Sequence, residues 1–382
     1  MNILICLDSF KDSITAYNAG EALKKGLQKA SKSFSIKNLP VADGGEGTVD
    51  ALVKATGGKR IELKVKDALM RTTDSFYGML GDGKTAVIEM AAASGIEKLT
   101  REERNPMTTS TFGTGQLIAH AIKTGCKNII IGIGGSATND GGVGMAMALG
   151  AKFIDKDGNE VAQGGGNLQR IANIDLTKLN KTIKGVSVTV ACDVDNPLTG
   201  PEGAAAVYGP QKGATPEMVD VLDKGLNHLS GLIDANFNKQ INTIPGAGAA
   251  GGLGGGLLAF LNAELKPGFE IVKNTLNLKE EIGKVDLVFT GEGKMDFQTK
   301  FGKTPHGVAK IAKASHIPVI AIAGTLGDNY QELNSEGFSS IFSILDRPCD
   351  LDFALKNAAQ LIENLGEQLG HLMYMSVKKA YI

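Results

Sequence analysis

The chain has 382 residues, with 40 Lys and Arg against 41 Asp and Glu and no long basic block, so neither nucleic acid nor an anionic membrane is an expected partner. Four scattered cysteines, five histidines without zinc-ligand spacing, no basic leader and no apolar run near ~18 residues predict a cytoplasmic protein without disulfides, structural zinc or membrane spans. Glycine is the outlier: 50 of 382 residues is about 13%, against a usual ~7%, and it falls in clusters between apolar segments, the mark of a site built from loops around a small molecule.

The length predicts two domains. Asn2–Leu7 is an apolar run that reaches Asp8, Ser9 and Lys11 and hands over to a helical pattern through Leu27. Ser35–Val41 reads as a second strand, ending in the loop Ala42-Asp-Gly-Gly-Glu-Gly-Thr48 before another helix. Ligands of doubly wound sheets sit at the carboxyl ends of strands, so Asp8, Ser9, Lys11, Asp43 and Glu46 could share one crevice. Asp43 could also simply cap the helix. From Gly58 to Met90 the pattern alternates around Gly81-Asp-Gly83, which predicts antiparallel hairpins and the start of an inserted domain.

The stretch Asn128–Gly150 joins an isoleucine-rich strand, the loop Gly134-Gly-Ser-Ala-Thr-Asn-Asp-Gly-Gly142 and a helix. Its glycines accept positive φ without a Cβ penalty and leave N–H groups open, and a helix N-terminus nearby would favour phosphate. A plain αβ turn is the alternative. Further on, Val186–Asp193 is a strand that ends in Asp193, Asp195 and Asn196 on a turn stiffened by Pro197. Pro245–Gly256 is almost free of side chains, as a close approach of helix or ligand requires. Val285–Gly293, Pro318–Gly324 and Ser339–Leu345 then supply three more strands, with Glu292 and Asp296 after the first, and a long helix closes the chain. The expectation is an α/β protein: a doubly wound, flavodoxin-like parallel sheet of five strands in the order 2-1-3-4-5, from residues 1–60 plus 275–382, with a mixed α/β domain, 61–274, inserted and carrying the Gly-rich loop.

Gly302-Lys-Thr304 lacks the upstream glycine of a phosphate-binding loop of the Walker type, because Phe297 stands there. Gly132-x-Gly134-x-x-Ala137 followed by Asp155 imitates a dinucleotide fingerprint, which leaves a nicotinamide-dependent oxidoreductase of a small hydroxy acid as an alternative. A catalytically silent sugar-acid sensor is a third reading. Phosphoryl transfer accounts for more of the residues, since it needs cationic and N–H donors for phosphate, acids for Mg²⁺ and one acid to orient a hydroxyl.

The strings Asp8-Ser-Phe-Lys11, Ala42–Thr48, Gly134–Gly142, Ala191-Cys-Asp-Val-Asp-Asn-Pro-Leu198, Gly209-Pro-Gln-Lys-Gly213, Gly248-Ala-Ala-Gly-Gly252 and Thr290-Gly-Glu-Gly293 resemble, in order and over essentially the whole chain, the bacterial two-domain glycerate kinases. The resemblance implies ATP- and Mg²⁺-dependent phosphorylation of D-glycerate, in this branch to 2-phosphoglycerate, in a cleft between the domains. Asp12 departs from the family pattern, which has glycine there. Residue chemistry suggests the roles. Gly134, Gly135, Ser136, Asn139 and Asp140 would hold nucleotide phosphates or their metal, with Glu292 and Asp296 on an opposing wall. Asp193 would be the general base, its pKa raised by burial, and Lys11 would neutralise the transferring phosphoryl group. Asp8, Ser9, Asp43 and Asn196 would meet substrate, and Asp43 and Glu46 the metal. A homodimer is allowed by the sequence but not required by it.

Overall fold

The computed structural model describes residues 1–379. Its strands, numbered in chain order, are β1 (Asn2–Leu7), β2 (Ser35–Asn38), β3 (Lys59–Lys66), β4 (Thr72–Met79), β5 (Thr85–Glu89), β6 (Asn128–Gly132), β7 (Lys152–Asp155), β8 (Ile171–Asp175), β9 (Ser187–Ala191), β10 (Glu264–Lys266), β11 (Leu287–Met295), β12 (Val319–Leu326) and β13 (Ser340–Ser343). The chain divides into two compact units: Met1–Asp43 with Asp50–Thr56 and everything from Phe269 onward, and Gly44–Val49 with Gly57–Gly268.

The first unit is built on a five-stranded sheet in the order β13-β12-β11-β1-β2, with every neighbouring pair parallel. This is the expected doubly wound order, 2-1-3-4-5 when its strands are counted alone. β1 is the hub: Leu4, Ile5 and Leu7 are fully buried, each contributing on the order of 2 kcal/mol relative to an exposed side chain. Helix Ala16–Ala30 lies against helix Leu351–Lys379, and the approach is close enough that a Cβ on Gly26 would stand 2.1 Å from the Glu363 carbonyl. Lys25 and Lys29 complete the seam by pairing with the largely buried Glu363 at 2.7 and 2.6 Å.

The second unit holds a six-stranded sheet in the order β10-β9-β6-β5-β4-β3. Strands β5, β6, β9 and β10 are parallel, whereas β3, β4 and β5 form the antiparallel meander that the alternation from Gly58 to Met90 predicts. β7 and β8 pair only with each other in a small separate sheet. Residues 159–174, which carry no readable periodicity, form a 3₁₀ turn, Gly165–Arg170, and the start of β8. The glycine-rich stretch is a helix, Ala249–Leu261, broken at its first turn where Ala250, Gly251 and Gly252 take φ of 54°, 68° and 85°. No helix among the described residues is long and apolar enough to cross a membrane.

Candidate active site

In the second unit the carboxyl ends of four parallel strands converge, which is where open α/β sheets bind ligands. β6 delivers the loop that begins at Gly134. Gly134 and Gly135 are exposed, Gly135 has φ 69°, and the N–H groups of Gly134, Gly135 and Ser136 find no acceptor among the described residues. The flanks are pinned: Gly135 O accepts from Ile96 N–H at 2.8 Å and Ala137 N–H donates to Ser94 O at 3.0 Å. Residues 44–49 pack here as well. A Cβ on Gly132 would lie 2.3 Å from the Gly44 carbonyl, and Val49 N–H donates to the Glu89 carboxylate at 2.8 Å. Glu46 is exposed on that segment.

From Thr138 onward the same loop turns inward. Asn139 and Asp140 are buried, and the Asp140 carboxylate accepts from Thr111 N–H (2.8 Å), the Thr111 hydroxyl (2.9 Å), Gly142 N–H (3.1 Å) and Gly144 N–H (3.2 Å). Asp140 thus occupies the N-terminus of the short helix Val143–Ala148, the position that the sequence reading gives to phosphate. The reason is local: Asp140, two residues before Gly142 in the same loop, places its own carboxylate over those amides. Burial raises the Asp140 pKa, and the donors from Thr111, Gly142 and Gly144 oppose that rise. The amide of Asn139 and the hydroxyl of Thr138 are buried without hydrogen-bond partners among the described residues. Gly251 and Lys212 close the other side. A Cβ on Gly251 would stand 1.9 Å from the Thr138 carbonyl, and Lys212 Nζ, itself buried, donates to that carbonyl at 2.7 Å. Thr111 and Lys212 lack assigned roles in the sequence reading, although Lys212 lies within the quoted Gly209–Gly213 string. A lysine fenced by glycines is the signal that was available.

Asp193 lies just beyond β9 and accepts from Gly268 N–H at 3.0 Å, but it is exposed. The expectation of a buried carboxyl is therefore corrected: β9 ends at Ala191, and the turn carries Asp193, Val194 and Asp195 into solvent. Asn196 is committed within the fold. Its Oδ1 accepts from the Tyr208 hydroxyl at 2.6 Å and its Nδ2 donates to the Glu202 carbonyl at 2.8 Å, so it holds the turn.

The first unit has its own convergence at the ends of β1 and β11, the switch point of the 2-1-3-4-5 order. Asp8 ends β1 with Ser9 N–H on its Oδ1 at 2.6 Å. Its pKa is pushed up to about 7, mostly by burial and then by the charge of Asp43. Glu292 is also raised, by burial first, while Lys303 at 3.2 Å works against the shift. Asp296 is buried and caps the turn Phe297–Lys300, accepting from Gln298 N–H at 3.0 Å and pairing with Lys294 at 3.2 Å. Lys11 and Asp43 are exposed, and Asp12 sits at φ 60°. Among the described residues no three His, Cys, Asp or Glu side chains form a ready metal cage. Mg²⁺ commonly takes only one or two carboxylates plus substrate phosphates, so a cage of three is not needed to hold it.

Comparison with known proteins agrees with this chemistry. The glycerate kinase family model matches residues 3–374. A glycerate kinase of Halalkalibacterium halodurans is 48% identical, with 96% of this chain and 97% of that protein aligned. The glycerate 2-kinase of Escherichia coli is 45% identical over the full length of both. A solved structure from Salmonella typhimurium LT2, provisionally named glycerate kinase 2, superposes with a TM-score of 0.90 at 45% identity, covering 99% of each chain. None of these relatives speaks for nicotinamide chemistry. Asp155, the acid that completes the imitation fingerprint, ends β7 in the separate two-stranded sheet and accepts from the N–H groups of Asp157 and Asn159 at 3.0 and 2.9 Å, the work of a turn residue. The chain therefore belongs to the glycerate kinase family and is an enzyme of that kind.

Proposed function

We propose that the chain transfers the γ-phosphoryl group of ATP to the 2-hydroxyl of D-glycerate, with Mg²⁺, in the cytoplasm. The observation that carries the nucleotide assignment is the run of open N–H groups at the exposed Gly134 and Gly135 and the buried Ser136 beyond a parallel strand, in a chain whose relatives are named glycerate kinases. Such amides suit phosphate oxygens because they are fixed donors that need no reorganisation as charge develops. The choice of the 2-hydroxyl rests on the likeness to the Escherichia coli glycerate 2-kinase.

In the reaction the glycerate hydroxyl oxygen forms a bond to the γ-phosphorus, the bond to the β–γ bridging oxygen breaks, ADP leaves, and the hydroxyl proton passes to a carboxylate. Asp193 is assigned that carboxylate, held by Gly268 N–H at the end of β9. Because the proton leaves late in a loose transition state, its main task is to orient the nucleophile. Lys11 supplies positive charge with no ion-pair partner among the described residues to compete for it. Asp43 and Glu46 would hold Mg²⁺, which neutralises phosphate oxygens when bound. Asp8 and Ser9 would meet substrate hydroxyls.

A second assignment of the base has support of its own. Asp8, pushed up to about 7, titrates where a general base works best, whereas Asp193 is exposed. A coupled assay tests the function. ADP release should require D-glycerate and Mg²⁺, phosphorus NMR should show the 2-phosphate ester, and NADH absorbance should not change when ATP is omitted. ADP release independent of D-glycerate would overturn the substrate, and a 3-phosphate ester would overturn the regiochemistry.

A further inference from the structure

We infer that Lys212 is a positioning residue for the phosphate-binding half of the Gly134–Asp140 loop, an inference that rests on the nucleotide role proposed for Gly134–Ser136. Lys212 ends the short 3₁₀ turn Pro210–Lys212 and is 1% exposed. The turn cannot drift, because Gly213 follows at φ 90° and a Cβ there would stand 2.3 Å from the Arg104 carbonyl. From this fixed base the ammonium reaches the Thr138 carbonyl at 2.7 Å. Thr138 is three residues beyond Gly135, and its own hydroxyl has no partner among the described residues, so the lysine is the polar anchor at this point of the loop.

A purely structural account of Lys212 is weak on physical grounds. An ammonium in an enclosed interior pays a desolvation penalty, and apolar replacements of buried ionic groups are often neutral or stabilising. Here one ammonium satisfies one carbonyl, with Asp140 the single charge opposing the desolvation that otherwise drives its proton off. A methionine of similar length would fill the space without that penalty. What methionine cannot do is donate to Thr138, and that contact fixes the backbone next to the open amides. Residues 135–137 are tied to 94–96 on one side, and on the other Thr138 is tied to Lys212, Asp140 to Thr111 and Gly141 to Gly251. Removing the lysine frees the inner end of the segment and lets the Gly134 and Gly135 N–H groups lose their common aim.

The test uses the full-length enzyme and MgATP. Lys212→Met should keep or raise the thermal midpoint, weaken MgATP affinity by about tenfold and raise KM for ATP more than it lowers kcat, with faster amide exchange confined to residues 134–140. Lys212→Gln, which keeps an N–H donor on a shorter arm, should recover part of that loss. Wild-type MgATP affinity in Lys212→Met would overturn the inference, as would equal defects in the Met and Gln variants accompanied by equal loss of thermal stability. The underlying reading fails separately. If Gly135→Ala binds MgATP normally, the loop is not the phosphate site, whatever Lys212 does.

Discussion

The two halves of the Gly134–Gly142 loop have the same kind of composition and opposite surroundings. Gly134 and Gly135 face solvent with their N–H groups open, whereas Thr138 to Gly142 is buried and its acid is ringed by donors from Thr111, Gly142 and Gly144. The difference teaches that a glycine-rich loop in a kinase need not be a phosphate cradle along its whole length. One half leaves its N–H donors open, and the other is a clamp held by groups from elsewhere in the same unit. The clamp is assembled from three remote segments, at Thr111, Lys212 and Gly251, which explains why the Pro245–Gly256 stretch has so few side chains.

The largest effect expected is on the clamp. Asp140→Ala leaves at least four buried donors unsatisfied and should destabilise the second unit by about 3–5 kcal/mol, read by urea unfolding. A variant that unfolds like wild type yet loses MgATP would reverse the comparison and make Asp140 a ligand. Gly251→Ala should follow at about 2–4 kcal/mol, since it adds a Cβ 1.9 Å from the Thr138 carbonyl at φ 68°.

Asp193→Asn should act on chemistry instead of folding. Its kcat should fall roughly a hundredfold with ATP affinity within a few fold of wild type. If kcat is unchanged, the base assignment moves to Asp8. The open half responds differently from the clamp: Gly135→Ala should cost only about 1 kcal/mol of stability for its left-handed φ while weakening MgATP about tenfold, by calorimetry. Equal stability losses in Gly135→Ala and Gly251→Ala would erase the distinction between the halves.

A pH-dependent effect belongs to Asp8. A carboxyl whose pKa rises from its ordinary 3.8 to about 7 on folding favours the folded state most below the lower value, and that contribution is lost as pH rises through the upper one. Asp8→Asn should therefore gain thermal stability over wild type above pH ~7 and show no such gain near pH ~4. An advantage that does not change with pH would remove the titration. The smallest effect is Asp12→Gly, which relieves a residue at φ 60° and should change stability by less than about 1 kcal/mol.

Much of the architecture was legible because it follows from periodicity. Buried runs such as Ile3–Leu7 and Ile129–Ile131, separated by helical spacing, require parallel strands with crossovers, and the alternation after Gly58 requires a meander. Irregular backbone was not legible. Residues 159–174 have no period to read, and the break at Ala250–Gly252 depends on what packs against it.

The sequence alone determined the sheet order of the first unit, the family, and the placing of polar residues on loops after strands, since these depend on patterns local to the chain. Tertiary structure decided what each polar residue faces. It exposed Asp193, committed Asn196 to Tyr208, turned Asp140 into an anchor, and set Lys212 under a loop 74 residues away in sequence. Burial and hydrogen-bond partners arise from segments that meet only when the chain is folded, so residue type and spacing could nominate these side chains but could not divide the ones that hold the site from the ones that present it.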